Sequence, residues 1–433
     1  MYPYYTFKQQ MLLYILFQVF LTLLLLNSVQ APDPFEAQFG ENGLDRDVII
    51  ARYFALGYTA IQIHSFLTLR HEIFLSLRHL RRLMWRFGLY SRGRQSNLHA
   101  IVDAIRTELN GSGRLIGYRL MWRRLTTEYN LNVSQNVTRL LLGILDPEGV
   151  ALRTRGRLHR RRYICRGPNQ VWHIDGMDKL KQFGFAVHAC IDGFSRKVLW
   201  LRVGRTNNNP TIIAGFYLTT VKRVKCIPRV LRCDRGTENS LVRRLQIALR
   251  MNHNDTLSGY SSFRYGRSTA NQRVECFWSQ LRRMVTHYWI NFFRDMRDRG
   301  VFDNSDPVHV ECIRFCFTRI LQADLDRAVE IWNNHTIRRQ TNSECPSGKP
   351  NIMYHLPQCF HATDRSQPIL FAEDEIDEVE AQYCKSYPPY GCSDAFTDVV
   401  RYIIEDDIEN FEMPTTTDEA LSLYTRLIEL LDE

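Results

Sequence analysis

The sequence has 433 residues, which is too long for one ordinary domain and predicts two to four. Hydrophobic residues make up 45% and charged residues 24%, which excludes wholesale disorder and a collagen-like fibre. The net charge of +10 favours nucleic acid or an acidic membrane surface as a partner, and it combines +25 over residues 1–360 with −15 over residues 361–433.

The N-terminal 44 residues contain an apolar run. Residues 11–26 are apolar except at two positions, and a run of 16 is shorter than the roughly 20 residues that a spanning helix needs. A small-x-small pattern follows at residues 29–31, as at the cleavage site of a signal peptide. We interpret residues 1–44 as a signal peptide, a marginal membrane anchor or a leader without structure, and leave these alternatives open.

Residues 45–93 read as three short helices in the manner of a helix-turn-helix. Ser76 is the predicted N-cap of the third helix, which has an apolar face and an arginine-rich face. Such a helix can lie in the major groove of DNA, and the predicted contacts are Arg78, Arg81 and Arg82. The alternative is a surface helix with solvated arginines.

A second helical module is predicted over residues 97–150, with its third helix ending before Asp146-Pro147. An arginine-rich linker follows over residues 151–168. The linker can contact phosphates or act as a nuclear localisation signal, and its predicted DNA contacts are Arg157, Arg160, Arg161 and Arg162. A merely solvated basic linker is the alternative.

Residues 169–350 change to an α/β pattern. Strands are predicted at residues 171–175, 185–191, 197–203 and 229–233, and helices at residues 210–224, 241–251 and 270–290. Three consecutive strands followed by alternating helix and strand predict a mixed sheet with helices on its faces.

Three acidic residues occupy suitable places in this block. Asp175 and Asp234 end the first and fourth predicted strands, and Glu275 lies in the long helix. Carboxylates brought together in this way can hold two Mg²⁺ or Mn²⁺ ions for in-line phosphoryl transfer. Taken singly, each acid also fits a turn, cap or solvated helix position, and Asp178 and Asp192 are rival candidates.

Four motifs in order resemble the core of retroviral and retrotransposon integrases and related transposases. They are residues 172–175 (WHID), 191–196 (IDGFSR), 233–239 (CDRGTEN) and 271–275 (NQRVE). The resemblance implies an RNase H-like fold with a five-stranded mixed sheet. It also implies that Asp175, Asp234 and Glu275 are the catalytic and metal-binding triad. The whole chain resembles integrase-core proteins of animal genomes that descend from mobile elements.

The resemblance also implies DNA contacts around the last helix. Basic residues commonly lie on the face of the glutamate in this family, which points to Arg282 and Arg283, with Asn271 one turn before Glu275. Ser279 departs from that pattern. No His-His-Cys-Cys zinc module precedes the core in the sequence, and the helical modules instead resemble the leaders of some insertion-sequence transposases.

Eleven cysteines without a C-x-x-C pair fit a reducing compartment best, and Cys312 and Cys316 are interpreted as buried free thiols. Cys312 and Cys316 can share a helix face, but two further metal ligands at suitable spacing are not found in the sequence. A reducing compartment conflicts with the apolar N-terminus.

We interpret the protein as a DNA-integrating polynucleotidyl transferase that acts in the nucleus as a homo-oligomer, with no small-molecule cofactor and no membrane partner. The first alternative is a DNA-binding regulator that keeps the fold without turnover. A secreted or membrane-tethered protein is the second. Residues 351–433 form an acidic C-terminal region, in which the run Glu373–Glu380 is predicted to be a solvated acidic stretch, with partner binding or autoinhibition as the alternative.

Overall fold

A computed structural model of the chain describes residues 45–89, 96–154, 163–266, 271–339, 344–404 and 412–432. The chain divides into two compact units, residues 1–52 and 53–433. The apolar run at 11–26 and the four linker arginines lie outside the described residues. None of the helices that are described combines the length and the hydrophobicity needed to cross a bilayer.

Three short helices come first: α1 (Arg46–Ala55), α2 (Ala60–Leu69) and α3 (Leu77–Arg86). The hydroxyl of Ser76 caps α3 by accepting the backbone N–H of His79 at 3.2 Å. Leu80, Leu83 and Met84 on α3 are buried, whereas Arg78, Arg81 and Arg82 are exposed. The predicted cap and the predicted two faces of this helix are therefore confirmed.

The second helical region comprises four helices and one 3₁₀ turn. They are α4 (Leu98–Asn110), the 3₁₀ turn Ser112–Leu115, α5 (Tyr118–Thr127), α6 (Gln135–Leu145) and α7 (Pro147–Thr154). The predicted end of α6 before Asp146 is confirmed. Helix α7 was not predicted, although the fixed φ of Pro147 suits the first turn of a helix.

The centre of the molecule is a five-stranded mixed sheet with the order β3-β2-β1-β4-β5. Its strands are β1 (Val171–Met177), β2 (Ala186–Asp192), β3 (Val198–Gly204), β4 (Val230–Cys233) and β5 (Phe263–Tyr265). Strands β1 to β3 pair antiparallel, whereas β1, β4 and β5 pair parallel. The predicted mixed sheet is confirmed, and β5 is the strand that the residue pattern missed, because three residues at a sheet edge show no alternation.

Helices cover both faces of the sheet. Helices α8 (Pro210–Val224) and α9 (Ser240–Leu249) pack on one face, with Trp172 and Ile174 of β1. The other face carries α10 (Gln272–Leu281), a π-helical segment (Arg282–Thr286), α11 (His287–Asp298) and α12 (Pro307–Asn334). The helix predicted to end near residue 290 therefore continues to residue 298. Because strand side chains alternate, Asp175 points to the α10 face with its neighbour Met177.

The acidic C-terminal region folds against this body. It contains α13 (Pro350–His355), α14 (Glu373–Tyr383), α15 (Asp394–Ile404) and α16 (Thr417–Asp432). Lys222 of α8 pairs with Asp377 at 2.8 Å and with Glu380 on α14, while Ile376 is buried. The remaining acidic side chains of α14 are exposed, namely Glu373, Asp374, Glu375 and Glu378. Helix α14 is therefore docked on the body with a solvated acidic face.

None of the eleven cysteines, all of which are among the described residues, forms a disulfide. Cys312 and Cys316 are both buried in α12. Their interpretation as buried thiols outside disulfides is confirmed.

Candidate functional site

The register between β1 and β4 brings two of the predicted acids together. The three residue pairs between these parallel strands share one offset of 59 residues, from Val171↔Val230 to His173↔Arg232. Asp234 follows Cys233 directly, so the same offset places it beside Asp175. One correction concerns the first strand, which continues to Met177, so that Asp175 lies inside β1 rather than at its end.

Helix α10 is attached to β1 by the side chain of Asn271. Its Nδ2 donates to the carbonyl of Ile174 at 2.9 Å, which orients the amide so that Oδ1 accepts from Nδ1 of His173 at 2.6 Å. Nε2 of His173 then accepts from the hydroxyl of Tyr163 at 2.7 Å. Burial lowers the pKa of His173 to about 3, so the imidazole is neutral, as this tautomer requires. The chain of hydrogen bonds fixes the start of α10 over the strand that carries Asp175.

The third predicted acid, Glu275, lies in the first turn of α10 and is exposed. One turn later, Nε1 of Trp278 donates to Oδ2 of Asp175 at 2.8 Å. Helix α10 therefore contributes both a carboxylate and a hydrogen-bond donor to the site.

The three carboxylates are electrostatically coupled. The pKa of Asp175 is raised to about 7, chiefly by burial and also by the negative charges of Asp234 and Glu275, against the lowering effect of the Trp278 hydrogen bond. Clustered carboxylates at strand ends and on a facing helix are typical of a functional site.

A fourth carboxylate, Glu238, was not predicted as a site residue. It lies in the 3₁₀ turn Thr237–Asn239, and its pKa is raised by burial and by the charges of Asp234 and Asp178. Nδ2 of Asn239 donates to its Oε1 at 2.7 Å. The available signal was its place four residues after Asp234 within the motif CDRGTEN.

The rival candidate Asp178 lies at the edge of this cluster. Nδ2 of Asn207 donates to its Oδ1 at 2.8 Å. Gly176 permits this approach, since a Cβ there would lie 2.4 Å from the same Asn207 nitrogen. Asn207 was also missed by sequence reasoning, because it follows β3 and nothing in its surroundings marks it.

The second rival, Asp192, is a structural residue. It is fully buried and accepts the backbone N–H of Asn169 at 2.8 Å, together with the backbone N–H and the hydroxyl of Ser195 at 2.8 and 2.6 Å. These bonds hold the turn between β2 and β3.

The donor set suits a hard divalent cation, because carboxylate oxygens are the ligands that Mg²⁺ and Mn²⁺ prefer. A cation would also stabilise the charged form of Asp175, whose pKa is raised chiefly by burial and also by the charges of Asp234 and Glu275. Within the described ranges, no group of three or more His, Cys, Asp or Glu side chains is arranged to hold a metal ion. The carboxylates are therefore electrostatic neighbours without a closed coordination shell.

The predicted DNA contacts on the last helix divide into two kinds. Arg282 and Arg283 are exposed in the π-helical segment. Asn271 is only 1% exposed and engaged with β1, so its place corresponds to a positioning role rather than to a DNA contact. The hydroxyl of Ser279 donates to the carbonyl of Cys276 at 2.8 Å, in line with its departure from the basic pattern.

Comparison with known proteins identifies the central part of the chain. Residues 162–353 match the family model of the integrase core domain and form such a domain, with its RNase H-like mixed sheet. Proteins of the integrase family bind DNA, and the family generally uses divalent metals. No curated protein matches the sequence.

Proposed function

We propose that this chain is an integrase-type polynucleotidyl transferase that cleaves DNA and joins it to a target, and that it descends from a mobile element. Asp175, Asp234 and Glu275 are the proposed catalytic residues and the ligands of two Mg²⁺ or Mn²⁺ ions. The observation that carries the proposal is that, inside an integrase core domain, the β1/β4 register places Asp234 beside Asp175, and the helix that carries Glu275 is hydrogen-bonded to Asp175 through Trp278. Bound divalent ions supply activation of the attacking oxygen and stabilisation of the leaving oxygen.

The proposed reaction has two displacements at phosphorus. In the first, water forms a new P–O bond near a DNA end, the bond from phosphorus to the 3′ oxygen breaks, and that oxygen leaves as a hydroxyl. In the second, this 3′-hydroxyl attacks a target phosphodiester and a target 3′-hydroxyl is released. The role of the chain is to hold the three carboxylates together as the proposed ligands of these ions, with α10 held on β1 by Asn271.

The test is Mg²⁺- or Mn²⁺-dependent nicking and strand transfer on linear duplex DNA. Asp234→Asn keeps the size of the side chain and removes its charge, so we expect a loss of at least about a thousandfold in rate, or roughly 4 kcal/mol. Asp398→Asn is the matched control, because this exposed acid on α15 pairs with Arg401 at 2.9 Å in the C-terminal region. It should leave the rate unchanged.

One outcome separates the proposal from its alternative. If the wild type and Asp234→Asn were equally inert with either metal while binding DNA tightly, the chain would be a DNA-binding regulator with the integrase fold. Activity that Asp234→Asn retained would place the catalytic carboxylates elsewhere.

We also propose action in the nucleus and assembly into a homo-oligomer. Detection of a tagged N-terminus in the nucleus, at the full mass of the chain, tests the first. Light scattering of the purified protein with and without DNA tests the second. Secretion of a chain shortened at its N-terminus would contradict the nuclear assignment.

A further inference from the structure

Two adjoining cavities lie between the second helical region and the π-helical segment that follows α10. Their volumes are about 610 and 790 Å³, and Leu115 and Arg283 line both. The walls thus combine residues before the integrase core domain with residues inside it.

The smaller cavity is basic. Arg119 at the start of α5 faces Arg283 of the π-helical segment and Arg338, and Gln280 completes the polar lining. All three arginines are exposed, and the described residues lining this cavity include no carboxylate. We call this cavity the arginine groove. Its charge is complementary to a phosphate backbone.

The larger cavity extends the positive potential. Arg106 and Arg114 line it together with His287, although Asp146 and Asp295 contribute negative charge. The pKa of His287 is lowered by burial and then by nearby arginines, the largest contributions coming from Arg282, Arg114 and Arg294. Several guanidinium groups therefore surround the larger cavity next to the arginine groove.

A buried guanidinium holds the two walls together. Arg124 of α5 is 1% exposed, and its Nη2 donates to the carbonyl of Met284 at 3.1 Å in the π-helical segment. Its Nη1 donates to the hydroxyl of Ser112 at 3.0 Å and pairs with Glu108. The arginine groove is thus a preformed feature with anchored walls.

The groove and the carboxylates share helix α10. Gln280 follows Glu275 by five residues, which corresponds to about 7.5 Å along the helix axis and about 140° around it. The groove therefore lies on a different flank of the helix from Glu275, and a duplex that contacts both has to pass around α10.

We propose that the arginine groove binds the phosphate backbone of the same duplex DNA whose phosphodiester reacts at the carboxylates. The proposal rests on the proposed function for its orientation relative to the carboxylates. It assigns DNA contact to Arg119, outside the integrase core domain, and to Arg338, and it makes the second helical region part of the DNA-binding surface.

Binding in EDTA separates this proposal from catalysis. The affinity of full-length protein for a linear duplex is measured by fluorescence anisotropy between 50 and 200 mM salt, with Arg119→Ala, Arg338→Ala and the double variant. Each lost phosphate contact should reduce the slope of log K against log salt by about 0.9, so the double variant should lose about 1.8. Arg426→Ala, which removes an exposed arginine on α16, should match the wild type.

One further variant makes the result decisive. The charge-conserving double variant Arg119→Lys with Arg338→Lys should keep most of the affinity, whereas a folding defect would not depend on charge. The proposal is overturned if the double alanine variant has the slope and affinity of Arg426→Ala. It is also overturned if that variant loses affinity for single-stranded RNA but not for duplex DNA.

The two proposals fail separately. A wild type without strand transfer, whose groove variants still lose DNA affinity, would remove the proposed enzyme and keep the groove. Normal strand transfer with unchanged DNA binding by the groove variants would keep the proposed enzyme and remove the groove.

Discussion

The indole N–H of Trp278 donates to the carboxylate of Asp175 at 2.8 Å, across the contact between helix α10 and strand β1. Asp175 is thereby held in one orientation beside Asp234 and Glu275, whose charges act on it. The hydrogen bond lowers the pKa of a carboxyl group that burial raises.

The first prediction follows from this contact. Trp278→Phe keeps an aromatic ring and removes the donor. Asp175 then loses the hydrogen bond that both orients its carboxylate and stabilises its negative charge. Because a hydrogen bond to a charged group contributes about 1.5 kcal/mol or more, strand transfer should fall about tenfold and require more Mg²⁺. Trp122→Phe is the control, since that indole donates to the carbonyl of Val133 at 2.7 Å. Equal activity of both variants would contradict the role of Trp278.

The second prediction separates Asp192 from the carboxylate cluster. Asp192→Asn replaces an acceptor of three hydrogen bonds with a group that also donates, in a fully buried turn. We expect the free energy of unfolding to fall by about 2–3 kcal/mol, as measured by urea denaturation. The strand-transfer rate per folded molecule should stay within about twofold of the wild type. A complete loss of activity in the folded protein would return Asp192 to the catalytic candidates.

The third prediction concerns the buried ion pair of Arg124 and Glu108. Glu108 also accepts hydrogen bonds from Arg327 at 2.7 Å and Tyr129 at 3.1 Å. Arg124→Met leaves the carboxylate without one partner and frees the carbonyl of Met284, so unfolding should become easier by about 3–5 kcal/mol. Combining it with Glu108→Leu should recover part of that loss, because the unpaired charge is gone. Additive effects in a denaturation cycle would contradict the coupling.

The fourth prediction uses the pH dependence of stability. Nζ of Lys349 donates to the carbonyl of Gly57 at 2.6 Å and lies 4.2 Å from the centroid of the Tyr58 ring. Burial, followed by the nearby charge of Arg123, lowers the pKa of Lys349 from 10.5 to about 7. Between these pH values the unfolded chain binds more protons than the folded chain, so this residue makes stability rise with pH. Below pH 7 Lys349 is protonated in both the folded and the unfolded chain, so burial of its charge lowers the free energy of unfolding by the full amount.

Lys349→Met tests this effect. The unfolding free energy of the wild type minus that of the variant should increase by about 1 kcal/mol per pH unit between pH 8 and 9.5. Urea denaturation at fixed ionic strength measures the difference. A difference that does not change with pH would show that Lys349 does not titrate in this range.

The fifth prediction addresses helix α3. Arg78, Arg81 and Arg82 are exposed opposite a buried apolar face. If the helix binds DNA as in a helix-turn-helix, replacing all three with alanine should reduce the salt slope by up to about 2.7 without changing stability. A solvated surface helix predicts an unchanged slope. Anisotropy in EDTA, alongside the groove variants, distinguishes the two.

Local pattern determined much of the fold from the sequence alone. The cap at Ser76, the two faces of α3 and four of the five strands depend on residues close in the chain, so periodicity and cap chemistry report them directly. The three candidate carboxylates were selected by the motifs that resemble integrases, because their places on the predicted elements alone left Asp178 and Asp192 as rivals. The division of the chain into a basic body and an acidic C-terminal region was also evident from the sequence. The docking of that acidic region onto α8 was not.

Only the tertiary structure decided which of these residues meet. Asp178 and Asp192 have similar sequence surroundings, yet one lies near Glu238 and the other is sealed in a turn. Three features depend on contacts between segments far apart in the chain. They are the burial of Asn271, the hydrogen bond from Arg124 to the carbonyl of Met284, and the arginine groove. Periodicity shows which face of an element is buried but not what covers it, and that is settled by packing across the whole core.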